Sequence, residues 1–152
     1  MTRLIHRDGD IFTSEHRVLG QGVNIDGLMG AGIAVAFRRR WPEMYEQYRA
    51  LCLDGELQAG GLHAWRTDGD ADFDVVMNIA SQDRPGRHAR LEWVQSGVRS
   101  ALRATRLFGH DTLALPRIAS GIGGLVERDV ERVLEELAGE SDVDIELWTF
   151  DG

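Results

Sequence analysis

The run Gly22–Phe37, GVNIDGLMGAGIAVAF, decides how the rest of the chain is read. It leaves an apolar segment, passes Asn24 and Asp26, turns through Gly27, Gly30 and Gly32, and opens into a helical pattern. Glycine lets the backbone come close to a ligand, and the first N–H groups of a helix have no partner of their own. Together they suit a cradle for phosphate. A second run, Ile118–Gly124 (IASGIGG), follows another apolar segment and precedes another helical pattern. One such loop is most simply a tight turn. Two loops at equivalent strand ends, each opening a helix, shift the balance toward binding.

Outward from these loops, short apolar runs alternate with amphipathic ones. Strands are expected at residues 2–6, 17–23, 62–65, 73–80, 111–116 and 143–150, with FDVVMNIA (73–80) the clearest buried strand. From Ile33 to Leu53 the apolar residues Ala34, Phe37, Trp41, Met44 and Tyr48 recur at three and four, which predicts a helix with a kink or break at Pro42. Further helices are predicted over 88–108 and 126–138. Alternating strands and helices without repeat or linker predict one domain over 1–152 and a three-layer α/β sandwich. In open α/β sheets ligands sit at the carboxyl ends of strands, where both glycine loops fall.

The 152 residues suit a single domain, and no apolar run is long enough to span a bilayer. The N-terminal MTRLIHRDGDIF lacks the apolar core of a signal peptide, so a soluble cytoplasmic protein with no membrane partner, and a monomer, is expected. The formal charge of −8 disfavours duplex nucleic acid as a general partner but leaves small anions open, because backbone N–H groups bind phosphate without cationic side chains. Arg38, Arg39 and Arg40 read as solvated helix surface. The lone Cys52 reads as a packed thiol. His6, His16, His63, His88 and His110 are scattered without metal-ligand spacing, so neither metal nor cofactor is expected.

Two nucleotide motifs compete for the first loop. Gly30-x-Gly32-x-x-Val35 is a weak dinucleotide fingerprint: its third position is valine, and the next segment is a long helix rather than a strand ending in an acid. A Walker A loop is excluded, since no Gly-Lys-Ser/Thr occurs.

A larger set of motifs fits one family. Gly22-Val23-Asn24-x-x-Gly27-x-Met29-Gly30-Ala31-Gly32-Ile33-Ala34, then Phe37 and Trp41-Pro42-Glu43-Met44-Tyr45, resembles a macrodomain. Leu115-Pro116-Arg117-Ile118-x-x-Gly121-Ile122 resembles the second phosphate loop, and Gly9-Asp10-Ile11-Phe12 the opening adenine-site motif. The likeness is greatest to the subclass holding the terminal ADP-ribose protein glycohydrolase and the antitoxin that removes ADP-ribose from DNA. It spans nearly the whole chain in order.

The resemblance implies a three-layer α/β/α macrodomain sandwich with a mixed central sheet, and ADP-ribose in a cleft at the strand ends. It implies that Asp10 and the Ile11 N–H meet the adenine, and that Trp148 and Phe150 line the adenine side. Asn24 is expected at the distal ribose. Met29, Gly30, Ala31, Gly32 and Ile33, with Ser120, Gly121, Ile122, Gly123 and Gly124, are expected to wrap the diphosphate. On the residues alone, Asp10 and Asn24 serve equally as turn formers and Trp148 as core.

The subclass attacks the anomeric carbon with a lysine and carries an aspartate in the second loop. Those positions correspond here to Gln82 and Gly123, and the chain contains no lysine at all. A lysyl route is closed. The expected activity is hydrolysis of mono-ADP-ribosyl esters on protein by attack of water, with Asn24, Ser81, Gln82 and Asp26 as the catalytic candidates and Asp83 a second candidate base. The alternatives are a non-catalytic ADP-ribose reader and a hydrolase of ADP-ribose 1″-phosphate. Expected partners are ADP-ribose and ADP-ribosylated protein, and less so ADP-ribosylated nucleic acid.

Overall fold

The computed structural model describes residues 3–120 and 123–150. Six strands form one sheet: β1 (Leu4–Asp8), β2 (Val18–Val23), β3 (Leu62–Arg66), β4 (Val75–Ala80), β5 (Thr112–Pro116) and β6 (Asp144–Thr149). Their spatial order is β1-β6-β5-β2-β4-β3. All neighbours run parallel except the edge pair β3–β4, so the sheet is mixed. β4 is buried along its whole length, as a strand covered on both faces must be.

Helices α3 (Leu91–Leu107) and α4 (Glu127–Glu140) cover one face, where Val94, Val98, Leu134 and Leu137 meet Val18, Met77, Ile79, Leu115 and Leu147. Helices α1 (Ile33–Arg40) and α2 (Pro42–Leu53) cover the other, where Phe37, Trp41, Met44 and Tyr48 meet Leu19, Val76, Ala80 and Ala114. The result is the expected three-layer sandwich. The helix expected from Ile33 to Leu53 is in fact two. Trp41, at φ −131° and ψ 77°, leaves helical geometry, and Pro42 starts α2 at a position where its missing N–H costs nothing. The first strand lies at Leu4–Asp8 rather than 2–6, pinned by pairing Leu4–Asp8 with Ile145–Thr149. Among the described residues no helix is long and apolar enough to cross a membrane.

Because β1, β6, β5, β2 and β4 are parallel, the loops after them gather on one edge of the sheet. Strand order then fixes the order of those loops. The 9–14 turn and the end of β6 lie at one side, the two glycine loops in the middle, and the 81–90 loop at the other side.

Candidate functional site

At that edge lies a cleft of about 1010 Å³. Both glycine loops line it, through Leu28–Ala34 and Ala119, Ser120 and Gly123. β2 and β5 are sheet neighbours, which sets the two loops against each other across the cleft.

At the β1/β6 end, Gly9, Asp10, Ile11, Phe12, Trp148 and Phe150 form the wall. Asp10 caps a short 3-10 turn (Ile11–Thr13): its Oδ1 accepts the Phe12 N–H at 2.9 Å. One carboxylate oxygen therefore shapes the turn, while the residue itself remains exposed to the cleft. Phe12 anchors the turn through ring contacts of 5.1 Å with Phe37 on α1 and 6.1 Å with Trp41 at the α1/α2 junction. Arg40 lies over Phe12, Trp41 and Phe73 and pairs with Asp70 and Asp72, so at least one residue of the arginine run packs rather than simply solvating the helix. Burial pushes the Asp70 carboxyl up, but hydrogen bonds from the Asp72 N–H, Arg40 and the Phe73 N–H outweigh it and hold the carboxyl below its ordinary range.

Sequence reading missed Glu146. It is 2 % exposed and accepts hydrogen bonds from Ser14 Oγ at 2.7 Å, Trp148 Nε1 at 3.0 Å and Arg7 Nε at 3.2 Å. A single carboxylate thus holds both the 9–14 turn and the Trp148 ring. Its signal was present in VDIELWTF, where an acid falls inside a strand too apolar to have a wet face. Trp148 is half-buried against the α1/α2 core and also walls the cleft, whereas Phe150 is 68 % exposed.

In the middle, Gly32 has φ 61° and ψ −148°, a conformation essentially reserved for glycine, and begins α1. Gly30 has no such backbone demand, and nothing lies within 4 Å of a Cβ placed on it; its open side is the cleft. In the second loop Ala119 adopts φ +64°, a left-handed conformation that costs an L-residue on the order of 1 kcal/mol. The Ser120 N–H donates to the Ile118 carbonyl at 2.7 Å and that of Leu125 to the Ala119 carbonyl at 3.0 Å, which hold the bend. Gly121 and Ile122 lie outside the described residues, and Gly124 is not part of the cleft wall. Arg117 and Glu127 also line the cleft; Arg117 donates from Nε to Thr149 Oγ1 at 2.9 Å and pairs with Glu131, whose carboxyl it holds below the ordinary range.

At the β4 end stand Asn24, Ser81, Gln82, Pro85 and Gly86. Ser81 is 1 % exposed and packs on Gly22, where a Cβ would come within 2.7 Å of Ser81 Oγ. The Gln82 Nε2 donates to the Arg84 carbonyl at 2.8 Å. Asn24 is committed to its own loop: Oδ1 accepts the N–H of Asp26 and Leu28, and Nδ2 donates to the Leu28 carbonyl at 2.9 Å. Tyr48 and Tyr45 brace the same loop from α2, and burial pushes the Tyr48 phenol far above its ordinary value. The two candidate bases are elsewhere. Asp26 is exposed and absent from the cleft wall, and Asp83 lies beside Arg84 at 3.8 Å, also off the wall. Both belong to loops whose backbone lines the cleft, which is why sequence adjacency suggested them. Burial pushes the Cys52 thiol up, the wrong direction for a nucleophile.

The sheet order and the two glycine loops define an α/β sandwich with a cleft along its strand ends. The chain belongs to the Macro domain family, whose model matches residues 21–134. It is 29% identical over 131 residues to the DNA ADP-ribosyl glycohydrolase of Mycobacterium tuberculosis, covering 86% of this chain and 37% of that one. It is 24% identical to the ADP-ribose glycohydrolase OARD1 of Homo sapiens over 149 residues, 97% of this chain and 92% of that one. Among solved structures, the macrodomain of Mycobacterium tuberculosis DarG superposes with a TM-score of 0.87 at 29% identity, covering 97% of this chain and 98% of that one. The chain spans under two-fifths of the length of the mycobacterial and Thermus aquaticus relatives.

Proposed function

We propose that the cleft binds ADP-ribose and that the protein hydrolyses mono-ADP-ribosyl ester linkages on proteins without a lysine nucleophile. One observation carries the reading: the cleft walls are ordered as the ligand is. An aromatic and carboxylate end suits a base, paired glycine loops suit a diphosphate, and a polar end suits a second sugar. Relatives named for ADP-ribosyl hydrolysis support it.

In this reading Asp10 and the Ile11 N–H receive the adenine, with Trp148 and Phe150 beside it. The N–H groups of Met29–Ile33 hold the diphosphate, with the second glycine loop facing them across the cleft through Ala119, Ser120 and Gly123, each bond to charge contributing about 1.5–3 kcal/mol. Ligand binding then places the anomeric carbon near Ser81 and Gln82. A water attacks that carbon, its approach set by Ser81, Gln82 and the ligand's own phosphate. A carboxylate is a good leaving group, so positioning and electrostatics supply most of what is needed. Asn24 acts by shaping the loop, and no carboxylate of the chain is assigned as base.

A second reading is an ADP-ribosylated nucleic acid as the target, favoured by the words DNA ADP-ribosyl in the mycobacterial relative's name. A third is a reader without turnover, favoured by glutamine at position 82 and glycine at 123. The test is release of ADP-ribose from glutamate-linked mono-ADP-ribosylated protein and from ADP-ribosylated single-stranded DNA, with calorimetry against ADP-ribose. Release from the ester above its spontaneous rate supports the hydrolase reading. Release from DNA alone moves the target to nucleic acid, and micromolar binding without release makes the protein a reader.

A further inference from the structure

The two oxygens of Glu146, buried on β6, have divided duties. Oε1 accepts from Ser14 Oγ at 2.7 Å and from Trp148 Nε1 at 3.0 Å. Oε2 accepts from Arg7 Nε at 3.2 Å and faces His16 Nε2 at 3.6 Å, both on side chains open to solvent. A carboxylate is costly to bury unless its oxygens are bonded, and here four groups attend it. The Oε1 pair is the one that reaches the cleft, since Trp148 lines it and Ser14 closes the turn that Asp10 opens.

Both bonds fix orientation. An indole can turn about its ring torsion, and tying its N–H to a buried carboxylate removes that freedom. Trp148 Nε1 is held inward, and a Cβ placed on Gly9 would lie 3.8 Å from Trp148 Cζ3, so the six-membered edge of the ring rests beside the residue before Asp10. The Ser14 N–H donates to the Ile11 carbonyl at 3.0 Å, and the Gly9 N–H to the Thr149 carbonyl at 2.9 Å. The Asp10 turn is thereby clamped to β6 at both ends, once through Gly9 and once through Ser14 and Glu146. Glu146 Oε1 thus sets how the indole stands relative to the Asp10 carboxylate, whose Oδ1 is already taken by the Phe12 N–H.

We propose that Glu146 is a positioning residue that makes the cleft select its base. This rests on the ADP-ribose reading of the cleft. Holding the indole and the Asp10 turn on one oxygen keeps a planar purine beside Trp148 with its six-position at the Asp10 carboxylate. An exocyclic amino group there donates to the carboxylate. An oxo group in the same place sets acceptor against acceptor, and a polar group is left without its partner. Glu146 is not part of the cleft wall; it acts through Ser14 and Trp148. Without Oε1 the ring and the turn are free to part, and the carboxylate can swing away from an oxo group. Discrimination between bases then falls, rather than binding in general.

The test is calorimetry with ADP-ribose and with inosine diphosphate ribose, whose base carries oxo in place of amino. The parent protein is compared with Glu146→Ala, Glu146→Gln and Ser14→Ala. The parent is expected to prefer ADP-ribose by roughly thirtyfold. Glu146→Ala should lower that preference to about threefold. Glu146→Gln, whose carbonyl oxygen still accepts from Ser14 and Trp148, should keep it within about twofold of the parent. Ser14→Ala removes one of the two bonds to Oε1 and should fall between them; it decides the matter should Glu146→Ala not fold. A role in stability alone would weaken both ligands alike. An unchanged ratio in Glu146→Ala or, for want of that protein, in Ser14→Ala would therefore overturn the proposal, as would a parent that binds both ligands equally. A parent that binds neither would overturn the reading of the cleft itself.

Discussion

Tyr48 Oη lies 2.7 Å from the backbone oxygen of Asn24 and 3.0 Å from its side-chain Oδ1. A hydroxyl buried on α2 thus ties down the first residue after β2, from which the whole first glycine loop hangs. Asn24 turns its amide into that loop, so it reads as a brace. Tyr48→Phe removes a buried donor and should cost about 1–3 kcal/mol of stability. ADP-ribose affinity should fall by roughly three- to tenfold as the loop slackens. Asn24→Ala should lower affinity and any turnover in parallel. Denaturant titration with calorimetry checks both; a turnover loss well beyond the affinity loss would return Asn24 to the chemistry.

Gly30→Glu should abolish ADP-ribose binding while the thermal midpoint changes by no more than a few degrees. The position has no positive φ and free space on its open side, so bulk and negative charge enter the cleft without straining the backbone. Gly32→Glu should also abolish binding, but at φ 61° it costs stability too, which makes Gly30 the cleaner variant. Undiminished affinity in folded Gly30→Glu would remove the diphosphate from this loop.

The closeness of Gln82 to Gly123 invites a gain-of-function test. A Cβ on Gly123 meets Gln82 Oε1 at 3.3 Å and Ala89 Cβ at 3.1 Å, so a side chain fits after a shift of a few tenths of an ångström. Gln82→Lys combined with Gly123→Asp places an amine and a carboxylate side by side at the polar end of the cleft. We expect faster ADP-ribose release and a covalent adduct trapped by borohydride, read by mass spectrometry. No adduct from the double variant would mean that the pair is misplaced relative to the anomeric carbon.

His63 is 7 % exposed on β3, with Nδ1 3.1 Å from Asn78 Nδ2. Burial lowers its pKa below the ordinary 6.5, so the unfolded chain binds a proton more readily than the folded one. Stability from this residue is complete above about pH 6.5 and is lost as pH falls below it. Asp70, Asp74 and Glu131 are also lowered; Arg17 is the main cause for Asp74 and Arg117 for Glu131. Their contribution is lost at lower pH, in the carboxylate range. His63→Gln should therefore flatten the dependence of the denaturation midpoint between pH 7 and 5 and leave the acid limb below pH 4 in place. An unchanged slope between pH 7 and 5 would show that His63 is not what titrates there.

Sequence by itself determined the alternation of strands and helices, and with it the layered sandwich, because these rest on local periodicity, and it marked the two glycine loops by composition. Phe37, Met44 and Tyr48 repeat at helical spacing, and FDVVMNIA carries apolar residues on both faces. It also fixed that no lysine chemistry is available. Tertiary structure alone decided which of the adjacent residues face the cleft. Asn24 lines it and Asp26, two positions on, does not, because the Asn24 amide draws the Asp26 N–H into a tight loop. Glu146 gained its part from Ser14, 132 positions away. Periodicity reports which side of an element is buried, whereas the direction of a loop side chain is set by hydrogen bonds and packing between segments that meet only when the sheet assembles.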